Sequence, residues 1–88
     1  MSLTARLPRV RLAHLPTPLE PAKRLSAAVA GTDIWIKRED LSGLALGGNK
    51  ARQVEFLMAD ALAHGAQAVV TTAAVQSNFC RACAAAGA

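Results

Sequence analysis

Gly47-Gly48-Asn49-Lys50 is a loop that turns into a helix. Two glycines carry no Cβ, so the backbone there can approach a ligand closely. Asn49 is a good N-cap residue, because its side chain can satisfy an orphan backbone N–H. Lys50 falls in the first turn. Beyond it Val54, Leu57, Met58, Ala61 and Leu62 recur at helical spacing. That spacing predicts a helix over Asn49 to His64, with Gly65 as its stop. Lys50 lies on the same stripe and so faces whatever the helix packs on. A lysine there either packs its stem and sends its amine to water or is held in a site, where the amine can form a Schiff base. Phe56, Ala59 and Ala63 make a second apolar strip on the far face. This strip predicts a cover from outside the chain or from a neighbouring subunit.

Upstream, Asp33 to Arg38 is β-branched and aromatic after Gly31-Thr32 and reads as a strand. The loop Glu39 to Gly48 joins it to the helix. Glu20 to Val29 reads as a short helix, with Pro21 in its first turn and Gly31 just past its end. His14-Leu15-Pro16-Thr17-Pro18 is extended or turning, since residues before proline avoid the helical region. Downstream, Ala68-Val69-Val70-Thr71-Thr72 is apolar without alternation, as in a parallel strand buried on both faces. Val75-Gln76-Ser77-Asn78 is a polar turn. Ser77 or Asn78 can cap a last, alanine-rich helix through Ala86. The order helix–strand–helix–strand–helix predicts an α/β fold with a parallel, right-handed crossover.

Ligands in such sheets bind beyond the carboxyl ends of the strands, at helix N-termini that favour anions. Two loops lie there, one with Gly47 to Lys50 and one with Gln76-Ser77-Asn78. A phosphate-binding P-loop fails, because Asn49 separates Gly48 from Lys50 and Ala51 replaces the metal-binding hydroxyl. There is no dinucleotide fingerprint.

The 88 residues suit one small domain, read as a single unit over 1–88 with no internal boundary. Hydrophobic residues are 52%, which argues against disorder. The formal charge of +4 is scattered, and aromatics are only 3%, so no nucleic-acid surface is read. No apolar run reaches the ~18 residues of a membrane span. The first 19 residues lack acids, but Pro8, Pro16 and Pro18 interrupt any amphipathic transit helix. Cys80 and Cys83 form a CxxC after a strand, which a thiol redox module would use. As two small residues at i and i+3 in an alanine-rich helix they read more readily as helix core, and a structural role is expected. One such pair is half a metal site and His14 and His64 have no matching spacing, so no metal is predicted. A reducing cytoplasm is the expected location.

Ile36 to Leu41, Gly43 to Lys50, Glu55-Phe56-Leu57, Ala59-Asp60-Ala61 and Gln76-Ser77-Asn78 together resemble the D-cysteine desulfhydrase and 1-aminocyclopropane-1-carboxylate deaminase family. These are fold-type II pyridoxal-phosphate enzymes of tryptophan synthase β-like architecture, and L-cysteate sulfo-lyase is a close relative. His14 to Glu20 is also similar, and the resemblance spans about residues 12 to 88. It implies pyridoxal 5'-phosphate as cofactor and Lys50 as its Schiff-base lysine. It implies that Asn78 contacts the cofactor's phenolic oxygen and that Asn49 supports the site. Ser77 and Gln76 would face a small amino-acid substrate, Ser77 near its carboxylate or as a catalytic hydroxyl. Elimination or deamination would release ammonia and an oxo acid.

Gln53, Ala73, Phe79 and Ala82 depart from the family pattern of lysine, glycine, histidine or glutamine, and glutamine, which leaves the substrate open. Relatives are much longer and have two domains. These residues therefore read as the N-terminal part of a longer, homodimeric enzyme and as inactive alone. A thiol redox module and a non-catalytic interaction fragment are the alternatives.

Overall fold

A computed structural model describes residues 2–88. Strand β1, Leu19–Pro21, is followed by helix α1, Lys23–Val29, and strand β2, Trp35–Lys37. Two 3-10 turns, Glu39–Leu41 and Leu44–Leu46, lead into helix α2, Lys50–Ala63, and helix α3 spans Asn78–Gly87.

The strands β1 and β2 pair antiparallel, with Leu19 opposite Lys37, Glu20 opposite Ile36 and Pro21 opposite Trp35. Pro21 is tolerated because a two-stranded ribbon has only edges, and an edge strand can spare a donor. The helix expected from Glu20 therefore starts later, at Lys23, since Leu19 to Pro21 is drawn into the ribbon. The strand expected at Ala68 to Thr72 has no β partner among the described residues. Val70 is 96% exposed. A parallel strand needs neighbours and two covered faces, and the described residues supply neither.

Helix α2 ends as its sequence predicts. Gly65 has φ +71 and its N–H donates to Leu62 O at 3.0 Å. The Ala66 N–H donates to Ala61 O at 3.0 Å, completing a Schellman motif. The start differs from expectation. Asn49 is helical, with φ −71 and ψ −19, and its side chain makes no capping bond. A side-chain cap needs extended backbone at that residue, which Ser77 has at α3. There φ is −67 and ψ 124, and Oγ accepts the Phe79 N–H at 3.2 Å.

The core lies between α2 and α3, where Val54 and Met58 meet Ala82 and Cys83, flanked by Leu12, Leu44, Phe79 and Ala86. The buried face of α2 is rotated from the apolar stripe. Ala51, Val54, Glu55, Met58 and Ala59 are buried, whereas Leu57 is 47% and Leu62 65% exposed. The rotation follows from the N-terminal segment, which packs along α2. Glu55, only 1% exposed, accepts the N–H groups of Leu12 at 2.8 Å and Ala13 at 2.9 Å and an ion pair from Arg9. The Arg9 guanidinium lies 5.2 Å from the Phe56 ring centroid. The cover expected over Phe56 from outside is thus supplied in part by the chain itself.

Candidate active site

The glycine loop is held in an unusual backbone path. Gly43, Gly47 and Gly48 have φ of +87, +81 and +109, and Ala45 and Leu46 are also left-handed at φ 45 and 73. Left-handed non-glycine residues cost roughly 1–3 kcal/mol each and persist only when their surroundings hold them. The two adjacent glycines serve different ends. A Cβ on Gly47 would lie 2.0 Å from Asp40 O, so this residue is small because its own chain passes close by. A Cβ on Gly48 would meet nothing within 4 Å. Of these two glycines, Gly48 is the one that borders open space.

Hydrogen bonds fix the loop. The Gly47 N–H donates to Leu44 O at 3.0 Å and the Gly48 N–H to Glu39 O at 2.9 Å. The Ser42 hydroxyl, fully buried, donates to Gly48 O at 2.8 Å. The Arg81 guanidinium donates to Gly47 O at 3.1 Å, reaching from α3.

Glu39 anchors the loop by its side chain as well. Arg52 Nε donates to one Glu39 oxygen at 2.6 Å, and its terminal nitrogen to the other at 2.9 Å and to Thr17 Oγ1 at 3.2 Å. The Thr17 hydroxyl also donates to Glu39, and Lys37 Nζ donates to Thr17 O. The Arg52 fork, and after it the Thr17 hydroxyl, hold the Glu39 carboxyl down at about 2 against the opposing effect of burial. Burial pushes the Glu55 carboxyl up, but the Ala13 and Leu12 N–H groups with Arg9 outweigh it and leave it below the ordinary value.

Lys50 is the first residue of α2, half-buried, one turn before the fully buried Val54. Asn49 is exposed beside it. Asn78, the first residue of α3, and Gln76 in the preceding turn are exposed, and Ser77 is half-buried at the cap. The Arg81–Gly47 bond brings the first turn of α3 to the loop that carries Lys50. An apolar groove of about 480 Å³, lined by Met58, Leu62, Val69 and Ala84 among others, runs along the carboxyl-terminal halves of the same helices. It contains none of these site residues.

A family model described as "Pyridoxal-phosphate dependent enzyme" matches residues 10–88. The chain belongs to this family. Within it, the chain is 51% identical over 76 residues to the D-cysteine desulfhydrases of Salmonella paratyphi B and Salmonella newport, covering 86% of this chain and 23% of each relative. It superimposes on a crystal structure of an "ACC deaminase homologue" with a TM-score of 0.88 and 44% identity, over 96% of this chain and 26% of that one. The chain thus spans about a quarter of the length of the relatives it matches. The likeness confirms the fold-type II pyridoxal-phosphate architecture expected from sequence, for its N-terminal part.

Family members bind pyridoxal phosphate, and a primary amine, an open glycine and a carboxamide are the kinds of group that can hold it. Lys50 carries a primary amine at the start of α2, and Gly48, two residues earlier, borders open space. Asn78 offers an exposed carboxamide at the start of α3. Sequence reasoning missed the supports of this arrangement, namely Ser42, Glu39 with Arg52, Glu55 and Arg81. Glu55 carried a signal, since a lone acid stands between the core residues Val54 and Met58. Cys83 lies buried in the core without a disulfide, and burial, then the neighbouring Cys80, push its thiol up. That direction is opposite to an activated redox thiol. Among the described residues no three His, Cys, Asp or Glu side chains group as a metal site, and no helix is long and apolar enough to cross a membrane.

Proposed function

We propose that these residues form the N-terminal portion of a pyridoxal-phosphate-dependent lyase or deaminase that releases ammonia and an oxo acid from a small amino acid. The reading is supported above all by the family match over residues 10–88, joined to a half-buried lysine at the start of α2 beside an open glycine. The relatives' names favour D-cysteine, with aminocyclopropane carboxylate next.

Bound pyridoxal phosphate supplies an electron sink, and the protein supplies orientation. Lys50 Nζ is the amine that holds the cofactor and the group that can carry a proton to or from the substrate. Asn78 would hold the cofactor and Asn49 would support the site. Ser77 and Gln76 face the substrate, where the Ser77 hydroxyl orients a carboxylate or moves a proton. The complete protein is a cytoplasmic homodimer in this proposal.

The test takes the complete protein with pyridoxal phosphate. A visible absorbance band, reduction by borohydride at Lys50 and release of ammonia and oxo acid from D-cysteine, L-cysteate or aminocyclopropane carboxylate are expected. A protein that forms no band and yields no product from any of the three would reject the reading.

A further inference from the structure

We propose that Arg81 is a positioning residue for Lys50, acting through the Gly47 carbonyl and clamping α3 to the lysine loop. The inference rests on the reading of Lys50 as the cofactor lysine. All four backbone polar groups of Gly47 and Gly48 are hydrogen-bonded. Three of the partners, Glu39 O, Ser42 Oγ and Leu44 O, belong to the segment just upstream and travel with the loop. Arg81 is the partner that comes from another helix, 34 positions along the chain. It lies one helical turn beyond Asn78, so its bond holds the turn that carries Asn78 against the loop that carries Lys50.

The guanidinium is not placed as stability alone would place it. Among the described residues, Arg81 Nε is buried with no hydrogen-bond partner. A buried donor left unpaired costs free energy, whereas an apolar side chain of similar shape avoids that cost. At this junction of two loops, another nitrogen of the same guanidinium holds Gly47 O. The geometry of a reacting group tolerates little error, and a misplacement of about 1 Å can cost roughly 100-fold.

The experiment uses the complete protein with pyridoxal phosphate as the probe and needs no substrate. Arg81→Met keeps the aliphatic stem and removes both the bond to Gly47 and the unpaired N–H. Arg81→Lys keeps a cationic donor. Borohydride trapping at Lys50 is followed in time by mass spectrometry, together with the pH midpoint of the visible band. Arg81→Met is expected to fold with an unchanged melting temperature, to trap Lys50 at least about 10-fold more slowly and to shift the midpoint. Arg81→Lys is expected to recover part of the rate. Trapping and midpoint equal to the unmodified protein in Arg81→Met would overturn the proposal. So would loss of folding in that variant, or an Arg81→Lys variant no faster than Arg81→Met. Lys50→Ala separates the two readings. Selective trapping elsewhere in Lys50→Ala, with the band retained, would sink the assignment of Lys50 itself.

Discussion

Arg52 and Glu39 meet as a two-pronged fork, Nε to one carboxylate oxygen at 2.6 Å and a terminal nitrogen to the other at 2.9 Å. The fork joins the first turn of α2 to the 3-10 turn that begins the glycine loop. Two residues before Arg52 stands Lys50, so the same fork sets where the lysine enters the helix.

The Glu39 fork predicts an acid-sensitive fold. The Glu39 pKa lies near 2 in the folded protein against an ordinary 4.5. The stability it contributes is therefore complete above about pH 4.5 and is lost as pH falls toward 2. Arg52 is 40% exposed, so solvent limits the contribution to about 1 kcal/mol. Denaturant midpoints between pH 2 and 6 should fall less steeply with acid in Glu39→Gln than in the unmodified protein. Parallel acid limbs would show that the fork adds nothing.

Gly47→Ala should destabilise more than Gly48→Ala. Both residues are left-handed, and that alone costs an alanine roughly 1–3 kcal/mol. Gly47 adds a Cβ 2.0 Å from Asp40 O, a backbone atom that cannot swing aside, whereas Gly48 has open space. Chemical denaturation of the two variants checks the order, and equal midpoints would contradict it.

Lys50→Ala in the complete protein should abolish the visible cofactor band and turnover while leaving the fold intact. The lysine is half-buried, and the hydrogen bonds that fix the loop run through Leu44, Glu39, Ser42 and Arg81. The 88-residue chain alone should give no selective, stoichiometric borohydride adduct, because it spans only about a quarter of the length of the relatives it matches. A variant that keeps both band and turnover would remove Lys50 from the mechanism.

Ser77→Ala should lower turnover more than cofactor binding, and Asn78→Ala should weaken the cofactor and shift its spectrum. Ser77 also caps α3, so its loss costs about 1 kcal/mol of stability whatever its role with substrate. Ser77→Thr keeps the cap and so isolates the functional part. Matching cofactor titrations for Ser77→Ala and Asn78→Ala would erase the division of roles.

Replacing Cys80 and Cys83 together with alanine should leave most activity and cost roughly 1 kcal/mol, for a small side chain lost from the core at Cys83. Activity lost with folding and cofactor binding intact would restore a redox role for the pair.

Much of the frame was legible from residues near one another in the chain. Glycine at 65 set the end of α2, because a left-handed C′ is a local steric demand. Ser77 or Asn78 announced the start of α3 for the same kind of reason, and Ser77 is the cap. The resemblance carried by Gly47 to Lys50 and Gln76 to Asn78 pointed to the family that the match over residues 10–88 then showed. Local geometry and short motifs survive translation into structure because their physics spans only a few residues.

What the tertiary structure alone decided involves partners far apart in sequence. The Ala68 to Thr72 segment has the composition of a strand, but strand formation needs hydrogen-bonding neighbours that composition cannot provide. Glu20 and Pro21 read as the start of a helix and, with Leu19, became a strand because Trp35 to Lys37 offered a ladder. The buried face of α2 moved toward Glu55 because that carboxylate collects N–H groups from 42 and 43 positions earlier. Arg81 reaches Gly47 across 34 positions. A charge inside a helix pattern reads as surface until the groups that neutralise it are seen, and those groups are brought there only by the fold.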